Sequence, residues 1–288
     1  MIYEIKSGSI KAGIDTHGAE LKYAELDGVN YIYDGDKKWW EDTAPMLFPI
    51  CGRLPDKKYS FGGKVYGMDI HGFAPGSEFA AEQISEDRVI FSLKSNAQTR
   101  KVYPFEFIYT ADYSVKEDTL FLTIKVENTG KDTLPYMIGW HPGFNLFGEG
   151  EINSFSLKFN AGETLDLHPI LPGCFVQLEG EEYPAPGGSY TLNEEEIYTS
   201  DTVIFSRTGG YAYLSSPDTE RAIEMRYSDN LPYFCIWKET DRRARFICLE
   251  PWSDLPESGV APVAFETRSM SRLDAGKSEE YSCSVRLI

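Results

Sequence analysis

The sequence predicts an all-β protein made of antiparallel sheets packed face to face. Three observations carry this: apolar residues alternate with period two, turn-forming pairs stand between the alternating runs, and no long amphipathic helical pattern occurs. Near the start, LKYAEL and VNYIY flank Asp27-Gly28, and KKYSF and KVYG flank Gly62-Gly63. Both pairs suit the left-handed backbone of a two-residue hairpin turn. RVIFSL comes next, and then the clearest signal. In FEFIYTADYSV the residues Phe105, Phe107, Tyr109, Ala111, Tyr113 and Val115 alternate with mostly polar neighbours, as do Leu120, Leu122, Ile124 and Val126 in TLFLTIKVEN. These are strands with one buried face. The turn-rich run Asn128 to Asp132 follows them. Further strands are expected at NSFSLKF, TVIFS, YAYLS, AIEMRYS, YFCIW, RFICLE and EYSCSVRL. The Pro/Gly-rich stretch EGEEYPAPGGSY reads as a long acidic surface loop. With no fixed repeat and no linker, residues 1–288 are expected to form one domain, a length that suits a large sandwich.

Composition narrows the function classes. Hydrophobic residues make up 42%, charged residues 25% and aromatics 14%, enough apolar material for a large core. A formal charge of −17 repels phosphate backbones and anionic lipid surfaces, so neither nucleic acid nor membrane is an expected partner, and a small substrate would be neutral. The N-terminus MIYEIKSGSIKAG lacks a basic segment leading into an apolar run, and no long uninterrupted apolar stretch occurs. The five cysteines, Cys51, Cys174, Cys235, Cys248 and Cys283, show neither a CxxC pair nor metal-like spacing. They are expected to be reduced thiols filling the core of a cytoplasmic protein. Monomer and homodimer both remain open.

Four segments place polar groups in apolar surroundings: APMLFPICGRLPD around Arg53, GMDIHGFAPGSEF around His71, MIGWHPGFN around His141, and RFICLEPWSD around Glu250. Each alone has an ordinary explanation, since a histidine beside aromatics is commonly structural, an arginine pairs with an acid, and a glutamate can sit on a polar sheet face. Details weigh the other way. Pro142 biases His141 towards an extended backbone, and Gly143 and Gly72 remove side chains next to the two histidines. In RFICLEPW, alternation puts Phe246, Cys248 and Glu250 on one face, where Pro251 is expected to end ladder pairing. A carboxylate on an apolar face needs a partner or a purpose.

HGFA, GWHPGFN and LEPW, in this order and with the GR of PICGRL, resemble the aldose 1-epimerase (mutarotase) family, and more closely its bacterial LacX-like branch. The resemblance covers nearly the whole chain. It implies a galactose mutarotase-like supersandwich, a large twisted antiparallel β-sandwich whose concave face holds a hexose. It also implies His141 as general acid, Glu250 as general base, and His71 and Arg53 as residues that bind and orient the sugar. Asp201, in SDTVIF, is set against an acidic position that grips sugar hydroxyls. No cofactor and no metal is implied, in keeping with the lack of a phosphate loop, a metal-ligand cluster or a nucleophile elbow in the sequence.

Trp140, Phe144, Tyr233, Trp237 and Trp252 neighbour these segments. Core packing is the expected role for the first three, and Trp237 and Trp252 are candidates to face a sugar's C–H edges. Arg242, Arg243 and Arg245 leave room for a hexose 6-phosphate, although pairing with acidic loop neighbours is the simpler account. Two departures from the family pattern touch the specificity shell: Pro75 stands where relatives often carry arginine, and EPWSDLPES lacks a glycine often found after EPW. An epimerase acting on free hexoses and a carbohydrate-binding or sensing protein with little turnover are both consistent with these residues. Retention of His141 and Glu250 together favours the enzyme.

Overall fold

A computed structural model describes residues 1–288. Strand accounts for 48% of the residues and helix for 7%, and the longer of the two α-helices, Glu194–Ser200, has only seven residues, so the all-β expectation holds. No helix is long and apolar enough to cross a membrane.

Two large antiparallel sheets dominate. The first has nine strands in the order Ser189–Thr191, Ser156–Phe159, Tyr211–Ser215, Ile223–Tyr227, Ser278–Leu287, Thr119–Asn128, Phe107–Lys116, Arg88–Lys94 and Ala80–Ser85. The second has eight: Glu181–Pro184, Thr164–Leu167, Thr202–Ser206, Tyr233–Trp237, Phe246–Trp252, Gly139–Trp140 and Met46–Leu47, with Gly143–Asn145 also paired to Phe246–Trp252. Between the sheets lies one cluster of 75 buried hydrophobic residues. Aromatic rings bridge the two layers, with Phe234 at 5.4 Å from Phe159 and Phe48 at 5.0 Å from Phe107. Edge-to-face contacts of this kind add to the burial that drives the layers together.

The period-two reading translates directly into burial. Phe107, Tyr109, Ala111, Tyr113 and Val115 are buried while their neighbours are partly or fully exposed, and Leu120, Leu122, Ile124 and Val126 repeat the pattern on the adjacent strand. Both hairpins form. Asp27 and Gly28 have φ of 50° and 79°, and Gly62 and Gly63 have 57° and 73°, which closes the pairs Leu26↔Val29 and Phe61↔Lys64.

EGEEYPAPGGSY departs from expectation. It is not a free loop, because Glu181–Pro184 pairs with Thr164–Leu167 at the edge of one sheet and Ser189–Thr191 pairs with Ser156–Lys158 at the edge of the other. Its charge and prolines mark it as a double edge, where one side of each strand faces no further partner and a missing N–H is tolerated. Cysteines Cys51, Cys235, Cys248 and Cys283 are buried as expected, but Cys174 is exposed.

Candidate active site

Every residue of the strand Phe246–Trp252 is buried, so alternation here separates two interiors. Ile247 and Leu249 face the main core, whereas Phe246 and Cys248 join a smaller cluster with Tyr33 that packs on Trp40 and Trp237. Glu250 continues this second face and has no solvent exposure. Its Oε2 accepts a hydrogen bond from the Trp252 indole N–H at 3.1 Å, and Cys235 stands directly across the ladder. Burial pushes the Glu250 carboxyl well above the usual carboxylate range, while the Trp252 N–H and the Cys235 thiol pull it partly back.

Pairing does not end at Pro251, as the sequence reading had it: the ladder continues through Phe234↔Pro251 and Tyr233↔Trp252. The other side of the strand explains why proline fits. There the Leu249 N–H bonds Pro142 O and the Ser253 N–H bonds Ile138 O, so the nitrogen of Pro251 falls opposite the gap between Gly139–Trp140 and Gly143–Asn145. No ladder bond is lost.

His141 occupies that gap. Its backbone N–H is held by Pro45 O at 3.1 Å and that of Gly143 by Thr43 O at 2.8 Å. A β-carbon on Gly143 would lie 2.9 Å from the Trp40 ring, so the missing side chain makes room for an indole. Trp40 then lies against the His141 ring at 4.9 Å, and Trp237 meets it edge-on at 5.8 Å. His141 Nε2 approaches Glu250 Oε1 to 3.2 Å. The approach lacks hydrogen-bond alignment, and both Oε1 and His141 Nδ1 are buried without a partner. Enclosure lowers the His141 pKa well below the ordinary imidazole value, and nearby His71 lowers it further.

The pair opens on a cavity of about 390 Å³, a size suited to a small ligand, and all seven residues singled out from the sequence contribute to its wall. His71 has a left-handed backbone, φ 62°, unusual for a residue with a side chain and a mark of a built site. The Gly52 N–H donates to its Nδ1 at 3.2 Å, which leaves the ring hydrogen on Nε2. Burial, helped by Arg53, brings the His71 pKa down to about 4, so the ring is neutral at pH 7. Gly72 has φ 80°, and a β-carbon there would collide with the Phe48 carbonyl. Gly72→Ala is therefore expected to destabilise the protein by roughly 2–3 kcal/mol in denaturant melts, through strain beside His71.

Asp201 takes the left-handed C-cap position of Glu194–Ser200, and its Oδ1 accepts from Thr202 Oγ1 at 2.6 Å. Trp237 is half-buried and Trp252 is 4% exposed. Trp140 and Phe144 belong to the main core, and Tyr233 lines a separate depression edge-on to His168, in keeping with packing roles. The three arginines lie away from the cavity. Arg242 pairs with Glu194 at 2.8 Å, Arg243 with Asp241 at 2.6 Å, and Arg245 donates to the Gly148 and Gly150 carbonyls. Sequence reasoning missed Trp40, Asp42, Cys235 and Cys174 in the cavity wall. The doubled tryptophan among charges in KKWWEDTAP is the one local signal the sequence offers for the first two.

His141, Cys248 and Glu250 bring three donor atoms within 4.8 Å of one another. Burial holds the Cys248 thiol well above its ordinary pKa, so in the metal-free protein it stands beside the pair as a neutral thiol.

Fold and site together define a β-sandwich protein with an aromatic-walled pocket for a small polar molecule and a buried carboxyl–imidazole pair at its base. The chain belongs to the aldose 1-epimerase family, whose model matches residues 1–285. The plasmid LacX protein of Lactococcus lactis subsp. lactis is 28% identical over 272 residues, 90% of this chain and 89% of that protein. Among solved structures, a galactose mutarotase-like protein from Lactobacillus casei ATCC 334 is 30% identical with a TM-score of 0.93, covering 100% of both chains. A galactose mutarotase related enzyme from Lactobacillus acidophilus is 26% identical with a TM-score of 0.91, covering 100% of this chain and 97% of that one. The fold is thus the galactose mutarotase-like β-sandwich expected from the motifs. Family membership supports an isomerase of mutarotase type with a sugar substrate.

Proposed function

We propose that this protein is an aldose 1-epimerase that interconverts the α and β anomers of a free hexose such as galactose or glucose, with residues 1–288 acting as one domain. The observation that carries the reading is the approach of His141 Nε2 to Glu250 Oε1 at 3.2 Å, with unpartnered acid–base atoms at the base of the cavity. Ring opening requires the anomeric hydroxyl to lose a proton and the ring oxygen O5 to gain one. Ionised Glu250 takes the O1 proton as protonated His141 gives one to O5. The C1–O5 bond breaks, the aldehyde turns about C1–C2, and closure on the other face returns both protons. The pair carries one proton before and after the open-chain stage.

The burial described above serves this exchange. It pushes Glu250 towards its protonated form and His141 towards its neutral form, which is the state reached when the ring opens. The driving force for the proton transfers is therefore built into the enclosure. Arg53, His71 and Asp201 orient the hydroxyls, and Trp237 and Trp252 offer ring faces to the C–H edges.

Free rather than phosphorylated sugar is favoured because Arg242, Arg243 and Arg245 are engaged outside the cavity, whose wall sets Asp42, Asp201 and Glu250 against Arg53. A binding module on the same scaffold would need hydrogen bonds but not an acid and a base in contact. Polarimetry or NMR on freshly dissolved α-anomer tests the reading: catalysed equilibration supports it, and tight sugar binding without acceleration replaces it with the binding module.

The pH profile is expected to be bell-shaped. A second proton on the pair must enter a buried imidazole, which places the acid limb below the ordinary imidazole value of 6.5. Loss of the last proton leaves a buried carboxylate, which places the alkaline limb well above the ordinary carboxyl value of 4.5. Initial mutarotation rates across this range check it, and a flat profile through both limbs removes the assigned roles.

A further inference from the structure

Asp42 is the carboxylate of the cavity that neither the motifs nor the proposed chemistry uses. It is half-buried in the wall, and its pKa is raised first by burial and then by Glu20. It forms neither a salt bridge nor a hydrogen bond within the chain. A carboxylate partly withdrawn from water, with no donor in the chain, is open to a ligand that supplies one.

The backbone that carries Asp42 is firmly held. Glu20 Oε1 accepts from the Thr43 N–H at 2.6 Å, the Thr43 hydroxyl at 2.8 Å and the Ala44 N–H at 3.1 Å. Thr43 O and Pro45 O in turn bond the N–H groups of Gly143 and His141. Asp42 thus projects from the segment laced to the His141 backbone, two residues from the Trp40 ring that lies on the imidazole. The main-chain bonds from Thr43 and Pro45 to Gly143 and His141 set this segment of the cavity wall beside the imidazole.

We propose that Asp42 is a specificity-determining residue that accepts the C6 hydroxyl of the hexose. The inference rests on the proposed function for one step, the placement of ring O5 at His141. The carbon next to O5 on the side away from C1 carries C6, so a carboxylate flanking His141 meets the exocyclic hydroxymethyl group. A hydroxyl there donates to Asp42, whereas a 6-phosphate or a C6 carboxylate is repelled. The site then selects neutral hexoses over 6-phosphates and over sugars without that hydroxyl.

Asp42→Asn and Asp42→Ala are compared with the unaltered protein on galactose, glucose, 6-deoxygalactose, xylose and glucose 6-phosphate. KM comes from polarimetry, and affinity comes from quenching of the cavity tryptophans. For galactose and glucose, KM is expected to rise about ten- to a hundredfold with kcat within about threefold, as for loss of a hydrogen bond to a charged group. KM for 6-deoxygalactose and xylose should change less than threefold, and glucose 6-phosphate should bind the asparagine variant more tightly than the unaltered protein. An equal rise for sugars with and without the C6 hydroxyl, no rise at all, or a fall in kcat at constant KM overturns the assignment. Melting curves show which variant is folded, and one folded variant suffices because neither substitution touches the Glu20 clamp. If the unaltered protein binds hexoses without turning them over, the proposed chemistry fails while the quenching comparison still decides Asp42. No binding to any sugar of the panel overturns both.

Discussion

Glu250→Gln is expected to slow mutarotation by about 10²–10⁴-fold and, in the same molecule, to raise its melting temperature at neutral pH. The amide keeps the shape of the carboxyl and an oxygen for the Trp252 N–H, so KM should move little while kcat falls. The stability gain follows from proton linkage. Because burial raises the folded-state pKa of Glu250, the folded protein binds a proton that the unfolded chain has released above the ordinary value of 4.5. That disadvantage grows as pH rises past 4.5 and vanishes below it, where both states are protonated. Glutamine removes it, so the variant's advantage should appear above pH 4.5 and fade in acid. Each kcal/mol of it is worth about 2–4 °C in a protein of this class. Scanning calorimetry at two pH values with a polarimetric assay measures both effects, and a kcat within tenfold of the original would remove Glu250 from the role of base.

His141→Asn is expected to cost a similar factor in kcat, with the opposite pH signature in stability. The folded-state pKa of His141 is lowered, so the unfolded chain takes up a proton below 6.5 that the folded protein refuses. Stability is lost as pH falls through that value, and asparagine removes the loss, so this variant should gain below pH 6.5 and show little difference above it. Since the two groups move protons on one C1–O5 unit, the double variant should be scarcely slower than either single one. Multiplying losses would mean that the residues act in separate steps.

The sequence carried much of this because the buried faces of Phe107–Lys116, Thr119–Asn128 and Phe246–Trp252 are written in period two, and because Glu250 breaks an apolar face. Proline and glycine around His141 marked a special backbone, and the space over Gly143 holds Trp40. Other features depend on partners distant in the chain. Asp42 lies in an irregular stretch whose position is set by Glu20 and by the backbone around His141, and no local pattern encodes that. Cys235 looked like core filler since a small thiol reads alike in a core and across from a carboxyl. Pro251 reads locally as the end of a ladder because the break in the neighbouring strand that accommodates it belongs to residues far upstream.

The strand Ser278–Leu287 lies in the middle of the nine-stranded sheet, between Thr119–Asn128 and Ile223–Tyr227. During synthesis at about 5–20 residues per second, the long apolar-faced strand Thr119–Asn128 waits on the order of ten seconds for this neighbour to leave the ribosome. Hairpins close in microseconds, so for that interval the nascent polypeptide presents a formed but unsatisfied border to other chains. Holdase chaperones that shield such a border should therefore govern the yield of newly made protein far more than they affect the finished molecule.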